Sequence, residues 1–178
     1  MIRHIHSPTI LIYTEGRDDK HFLDRFQEIY DTNFRIRQGK GGTPEKVLED
    51  TLKEIGDFDT RYCIVDSDKI NKMDEFLKKV EKIKADVKYE LIVLFNKPCI
   101  EAINLALFCG DKSVFSAKNC GVLKLRFKDL LKGVKKQEYY SHNLNKALIN
   151  QNLKFLEGQD LHDLIVLMDD NRKSRPYY

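Results

Sequence analysis

Three acidic elements each follow an apolar run of the kind that forms a β-strand. Glu15-Gly16 follows TILIYT (residues 9–14), Asp66-Ser67-Asp68 follows RYCIV (61–65), and Glu101 comes soon after YELIVLF (89–95). Carboxylates brought together repel one another unless a cation neutralises them or one of them takes a proton. A hard divalent ion meets that need: Mg²⁺ or Mn²⁺ is held by one or two carboxylates plus water and substrate phosphate. Asp66 and Asp68, one residue apart, can turn two side chains to the same ion, and Glu15 can be a further ligand or a general base. The chemistry implied is that of a phosphate ester. Each residue also has a plainer role. Acids near helix starts favour the helix dipole, which covers Asp18, Asp19 and Glu101, and Asp-x-Asp after a strand occurs in ordinary turns. What joins the three elements is their order and their shared place at strand ends.

Those strand ends belong to an α/β chain. Runs rich in β-formers alternate with patterns of helical period, the signature of βαβ units closing into a mostly parallel sheet. The expected strands are Thr9–Thr14, Phe34–Arg37, Arg61–Val65 and Tyr89–Phe95, and the expected helices are Asp18–Tyr30, Pro44 to about Ile55, Met73–Ile83 and Ile100–Phe108. The near-continuous apolar run at Tyr89–Phe95 predicts a central strand buried on both faces. All strands of a parallel sheet end on one edge, where open α/β sheets bind their ligands, so the acidic elements are expected to converge there. Beyond Gly110 the pattern is mainly helical, with candidates at Lys124–Leu131, His142–Leu156 and Asp160–Met168 and a polar, frayed tail over Asn171–Tyr178. The expected organisation is an α/β domain over residues 1–110 and a helical extension over 111–178 packed on it.

The 178 residues are 42% hydrophobic, enough for one core. Four cysteines without a CxxC pair and the lack of an N-terminal apolar run point to a reducing cytoplasm, and no segment is apolar enough to span a membrane. The net charge of +3 conceals a polarised distribution. Residues 112–136 hold Lys112, Lys118, Lys124, Arg126, Lys128, Lys132, Lys135 and Lys136 against Asp129 alone, so the rest of the chain is acidic. Such a segment either sits on nucleic-acid phosphates, through Lys132, Lys135 and Lys136 above all, or is the wet face of an amphipathic helix. Tyr139 and Tyr140 beside it can stack on bases or be buried. Gly39-Lys40-Gly41-Gly42 can cradle a phosphate or be a flexible turn, and it lacks the Gly-Lys-Ser/Thr ending of a Walker A loop. His4 and His6 read as a frayed end. His21, His142 and His162 lack zinc-site spacing.

The residues resemble a known family. ILIYTEGRDDKHFL resembles the first motif of Toprim proteins, with Glu15, Gly16, Asp19 and Phe22 matching, and YCIVDSDK resembles their Asp-x-Asp strand end through Asp66 and Asp68. LFNKPCIEAINLALF resembles the Asn-Pro-Cys-Phe-Glu segment of the RloB-like branch through Asn96, Pro98, Cys99 and Glu101, with Lys97 inserted and Ile100 replacing the aromatic. The resemblance spans residues 9–109. It implies Mg²⁺ or Mn²⁺ on Glu15, Asp66, Asp68 and Glu101 and catalysis of phosphodiester hydrolysis, with Glu15 as general acid or base. Arg17, Lys20 and Lys69 are close enough in sequence to stabilise phosphorane charge.

The expected activity is that of a metal-dependent nuclease, on RNA such as tRNA ahead of DNA, and the resemblance implies a setting in phage defence. Its partner is then a further defence protein or a second copy of the chain. The alternatives are a non-catalytic nucleic-acid or nucleotide-binding effector or sensor, and a phosphatase or transferase of small phosphoesters, for which the basic segment has no use.

Overall fold

The computed structural model describes residues 10–117 and 119–173; Thr9, His4, His6, Lys118 and the end of the tail from 174 lie outside them. Four strands, β1 (Ile10–Thr14), β2 (Arg35–Gln38), β3 (Thr60–Asp66) and β4 (Glu90–Asn96), form one sheet in the order β2-β1-β3-β4, parallel throughout. Helices α1 (Arg17–Tyr30), α2 (Pro44–Lys53), α3 (Met73–Asp86) and α4 (Ile100–Cys109) each follow a strand, and α5 (Cys120–Leu131), α6 (Lys136–Asn143), α7 (Lys146–Asn152) and α8 (Asp160–Lys173) complete the chain. This is the expected Rossmann-like α/β architecture with a helical C-terminal part. Among the described residues no helix is long and apolar enough to cross a membrane.

Alternation along the strands sorts the core into two layers. Tyr13, Cys63, Val65 and Leu91 face α2 and α3, where Val47, Leu48, Phe76 and Val80 meet them. Ile10, Ile12, Ile36, Tyr62 and Ile64 face the other way, onto Phe22, Leu23 and Phe26 of α1 and onto α4. Every residue of α4 from Ile100 to Leu107 is buried, as expected of a helix apolar nearly all round. It lies between β4 and helices α5 and α7. Leu123 and Phe127 of α5, Tyr140 of α6, Ile149 of α7 and Ile165 of α8 join the same core. Gly110 ends α4 in the left-handed region at φ 66°, and a Cβ there would meet the Phe155 ring at 3.0 Å, so glycine is required twice over.

Four expectations need correction. The apolar strand β4 is an edge strand, and β1 and β3 are the central ones. Its apolarity answers helices packed on its faces, and its outer side is closed by Asp160, the first residue of α8. Asp160 accepts the Phe95 N–H at 2.9 Å and pairs with Lys97 at 2.9 Å. The helix expected over His142–Leu156 is broken, because Asn145 caps a new helix by accepting the Leu148 N–H at 3.0 Å. The helix expected at Lys124 begins at Cys120, where Asn119 accepts the Gly121 N–H at 2.7 Å. Helix α8 also runs to Lys173, into the segment expected to fray.

At the amino end of the sheet Arg61 on β3 is buried at 6% exposure. Its guanidinium lies 4.2 Å from the Tyr89 ring centroid and 5.3 Å from that of Phe58. It donates to the Thr51 carbonyl at 2.8 Å and the Glu54 carbonyl at 2.9 Å, satisfying groups that the end of α2 leaves open. Arg61→Met keeps the bulk and leaves those carbonyls unpaired. It is expected to lower stability by about 2–4 kcal/mol, read from the urea midpoint at unchanged m value. A loss within about 0.5 kcal/mol would mean that the arginine does not secure α2.

Candidate functional site

The chain runs from β1 outward to β2, then crosses back over β1 to β3 and on to β4. The direction of winding therefore reverses between β1 and β3, and at such a switch point the loops leaving the carboxyl ends part to open a crevice. A cleft of about 710 Å³ lies there. Its wall holds the carboxylates of Glu15, Asp19, Asp66 and Glu101, the cations Arg17, Lys40, Lys69 and Lys124, and the Gln38–Gly41 loop.

Glu15 is the first residue past β1 and is 7% exposed. Its Oε1 is ion-paired with Lys69 Nζ, which also lies 3.8 Å from Asp66 Oδ2, so one ammonium stands between two carboxylates. Lys69 is placed by a 3₁₀ turn over Ser67–Lys69, pinned where the Asp68 N–H donates to the Pro98 carbonyl at 3.1 Å. Asp66 ends β3 in register with Asn96 of β4. Its Oδ1 accepts from Asn96 Nδ2 at 3.0 Å and from the Ile100 N–H, at the first residue of α4, at 3.2 Å. Burial pushes the Asp66 carboxyl up to about 6 against the opposing effect of the Asn96 hydrogen bond.

Asp19 occupies the third position of α1 and reaches back to accept the Gly16 N–H at 3.0 Å, one half of a capping box. Burial, reinforced by the nearby charge of Asp66, pushes its carboxyl up to about 8. Glu101, 5% exposed near the start of α4, accepts from Lys136 Nζ at 3.3 Å; the same ammonium lies 2.8 Å from Asp18 and 5.5 Å from the Phe127 ring centroid. Burial acts to lower the Lys136 pKa, but Asp18 and Glu101 more than offset it and hold the group above its ordinary value.

Three of these carboxylates keep a buried oxygen with no hydrogen-bond partner among the described residues: Glu15 Oε2, Asp19 Oδ1 and Glu101 Oε2. A polar atom left this way is costly, and its usual explanation is a strained, catalytic or ion-binding role. Among the described residues no three acidic, histidine or cysteine side chains stand close enough together to hold a metal as placed. A hydrated hard ion needs fewer. Glu15 and Asp66, on either side of the Lys69 ammonium, are the all-oxygen pair that fits Mg²⁺ or Mn²⁺.

The structure thus brings Glu15, Asp66 and Glu101 to one cleft with Arg17 and Lys69. It does not bring Asp68, which is exposed and lies outside the cleft wall, on the 3₁₀ turn that follows β3. Lys20 is bound to Asp24 at 2.5 Å, one helical turn further along α1. Lys132 and Lys135 are exposed and stand apart from the cleft, whereas Lys136, expected on phosphates, is an internal counter-ion. Tyr140 is buried with its hydroxyl on Asn104 Nδ2 at 3.1 Å, and Tyr139 packs edge-on against Phe108, so neither is a stacking platform. Among the lining residues to which the expected site gave no role are Asp19 and Lys124. Asp19 carried a legible signal, an acid three residues after Gly16 at capping-box spacing, but Lys124 carried none beyond its membership of the basic segment.

The raised Asp19 and Asp66 carboxyls have a consequence for folding. The folded state holds protons that the unfolded chain, with Asp near 3.8, has already released, so stability falls as pH rises. In the metal-free protein the fall runs from about 4 to about 6 through both groups and on to about 8 through Asp19 alone. The melting temperature in EDTA is therefore expected to drop between pH 5 and 8, and Asp19→Asn to flatten the part above about pH 6. A mutant profile parallel to wild type throughout would remove Asp19 from the coupled cluster.

No family model, curated protein or solved structure matches this chain.

Proposed function

We propose that the chain is a divalent-metal-dependent hydrolase of nucleic-acid phosphodiesters, of the Toprim type that its motifs resemble. The observation that carries the reading is the set of buried, unpartnered carboxylate oxygens on Glu15, Asp19 and Glu101 at the switch point of a parallel sheet, edged by cations. Carboxylates so placed suit a cation, and a cation beside them suits a phosphate. Glu15 and Asp66 would hold Mg²⁺ or Mn²⁺, which when bound polarises a phosphoryl oxygen. Lys69, released from between them, faces the charge that develops on the phosphorus oxygens. Asp19, its carboxyl up at about 8, carries its proton near neutrality and can donate it from Oδ1 to the leaving oxygen. Lys136 keeps Glu101 neutralised at the floor while Arg17 stands at the lip.

Incubation with labelled tRNA and with single- and double-stranded DNA is expected to show cleavage in Mg²⁺ or Mn²⁺ and none in EDTA. Glu15→Gln and Asp66→Asn are each expected to slow cleavage by about 100-fold or more with the fold intact, and Asp68→Asn by less than about tenfold. Full activity of Asp66→Asn would sink the assignment. One observation favours a second reading: Lys69 already neutralises Glu15 and Asp66, as suits a chain that binds a phosphate ligand without cutting it. Binding retained with no cleavage in any metal would select that reading.

A further inference from the structure

The acidic floor of the cleft and its lip carry opposite charge, and the lip extends beyond the cleft. Arg17 at the start of α1, Lys40 in the loop between β2 and α2, and Lys124 on α5 are exposed, and none has an ion pair among the described residues. Other basic side chains nearby are taken, Arg126 by Asp111 at 2.9 Å and Lys136 by Asp18 and Glu101. Along α5, Lys124 is followed by Lys128 and, at the C-cap, Lys132, also exposed and without an ion pair among the described residues. Spacing of i, i+4 and i+8 makes one inclined row with a rise of about 6 Å per step. Leu125, 63% exposed, lies beside that row.

We infer that the lip and the row form a track for a single strand of nucleic acid, with phosphates on Arg17, Lys40 and Lys124 at the cleft and on Lys128 and Lys132 beyond it. The inference deepens the phosphodiester reading and rests on it. Floor carboxylates repel a polyanion, so the strand needs cations outside the floor to hold it there. The reacting phosphate must reach carboxylates that are more than nine-tenths buried in a cleft of about 710 Å³. That is the size of a pocket for one small ligand, about 300–1,000 Å³, so one strand enters and a duplex has to open first. At the wall, a Cβ on Gly39 would stand 3.1 Å from the Glu15 carbonyl oxygen, so the β2–α2 loop passes closely against the end of β1. An unpaired base, unlike a stacked and paired one, has an apolar face to lay on Leu125.

The test is fluorescence anisotropy in EDTA, where nothing is cut, with labelled oligo-dT and oligo-rU from the mononucleotide to about 12 nucleotides and with a duplex of the longest. Affinity is expected to rise with length and then level off. Five phosphate contacts give a slope of about −3.5 in log K against log salt for the longest strand, and each Gln substitution among the five residues is expected to reduce its steepness by about 0.7. Arg17→Gln, Lys40→Gln and Lys124→Gln should weaken every length, and Lys128→Gln and Lys132→Gln the longer ones alone. Lys78→Gln with Lys82→Gln, the same i, i+4 spacing on α3 across the sheet, should leave the slope unchanged. A mononucleotide held as tightly as the longest strand, a duplex held more tightly than a single strand, or wild-type slopes in the five variants would each overturn the track. Cleavage in Mg²⁺ with unchanged slopes overturns the track alone, while reduced slopes with no cleavage by wild type uphold it and remove only the hydrolase.

Discussion

Charge compensation inside the switch-point cleft is the constraint that most of this molecule serves. Four carboxylates, on Glu15, Asp19, Asp66 and Glu101, are drawn into low dielectric by the ends of β1 and β3 and the starts of α1 and α4. None is expendable to solvent there, so each is answered from within. Lys69 is set between Glu15 and Asp66, Lys136 between Glu101 and Asp18, Asn96 and the first N–H of α4 on Asp66, and a retained proton on Asp19. The answers come from both halves of the chain. Lys136 belongs to α6, and its ammonium lies over the ring of Phe127 on α5 while pairing with Glu101 near the start of α4. The C-terminal helices are therefore part of the site as well as of the core.

This explains which features could be read in the amino-acid order and which could not. Strand ends were legible because an apolar run followed by an acid is a local pattern, and a parallel sheet necessarily collects such ends on one edge; Glu15, Asp66 and Glu101 fell together for that reason. Asp68 looked equivalent to Asp66, but a single 3₁₀ turn separates a residue that ends a strand from one that faces outward. The basic segment was legible only as a sum. Charge counting cannot tell Lys136, held in ion pairs, from Lys128, free on the surface, since the difference lies in contacts with residues far away in sequence. Strand β4 shows the same limit. Its apolar run reports cover by helices above and below, which is independent of having a strand on either side.

At Asp19 the buried unpaired oxygen and the raised carboxyl describe one condition in two ways. Desolvation makes its charged form expensive where no hydrogen bond compensates it, and the carboxyl holds its proton instead. A fold selected for stability alone would place leucine or methionine there. The bulk of the apolar core, on both sides of the sheet, supplies the margin that lets the acids remain.

Asp160 does more than begin a helix. By occupying the Phe95 N–H on the outer side of β4 it removes a donor that another extended chain would need in order to join the sheet there, and Lys97 adds a charge at the same spot. The opposite edge, β2, is guarded differently, by Arg35 and Arg37, both drawn to Glu54. A parallel sheet of only four strands is thereby kept from lengthening sideways by capture of a neighbour's strand, and the protein meets the hazard of fibrous association with charged side chains rather than with a fifth strand.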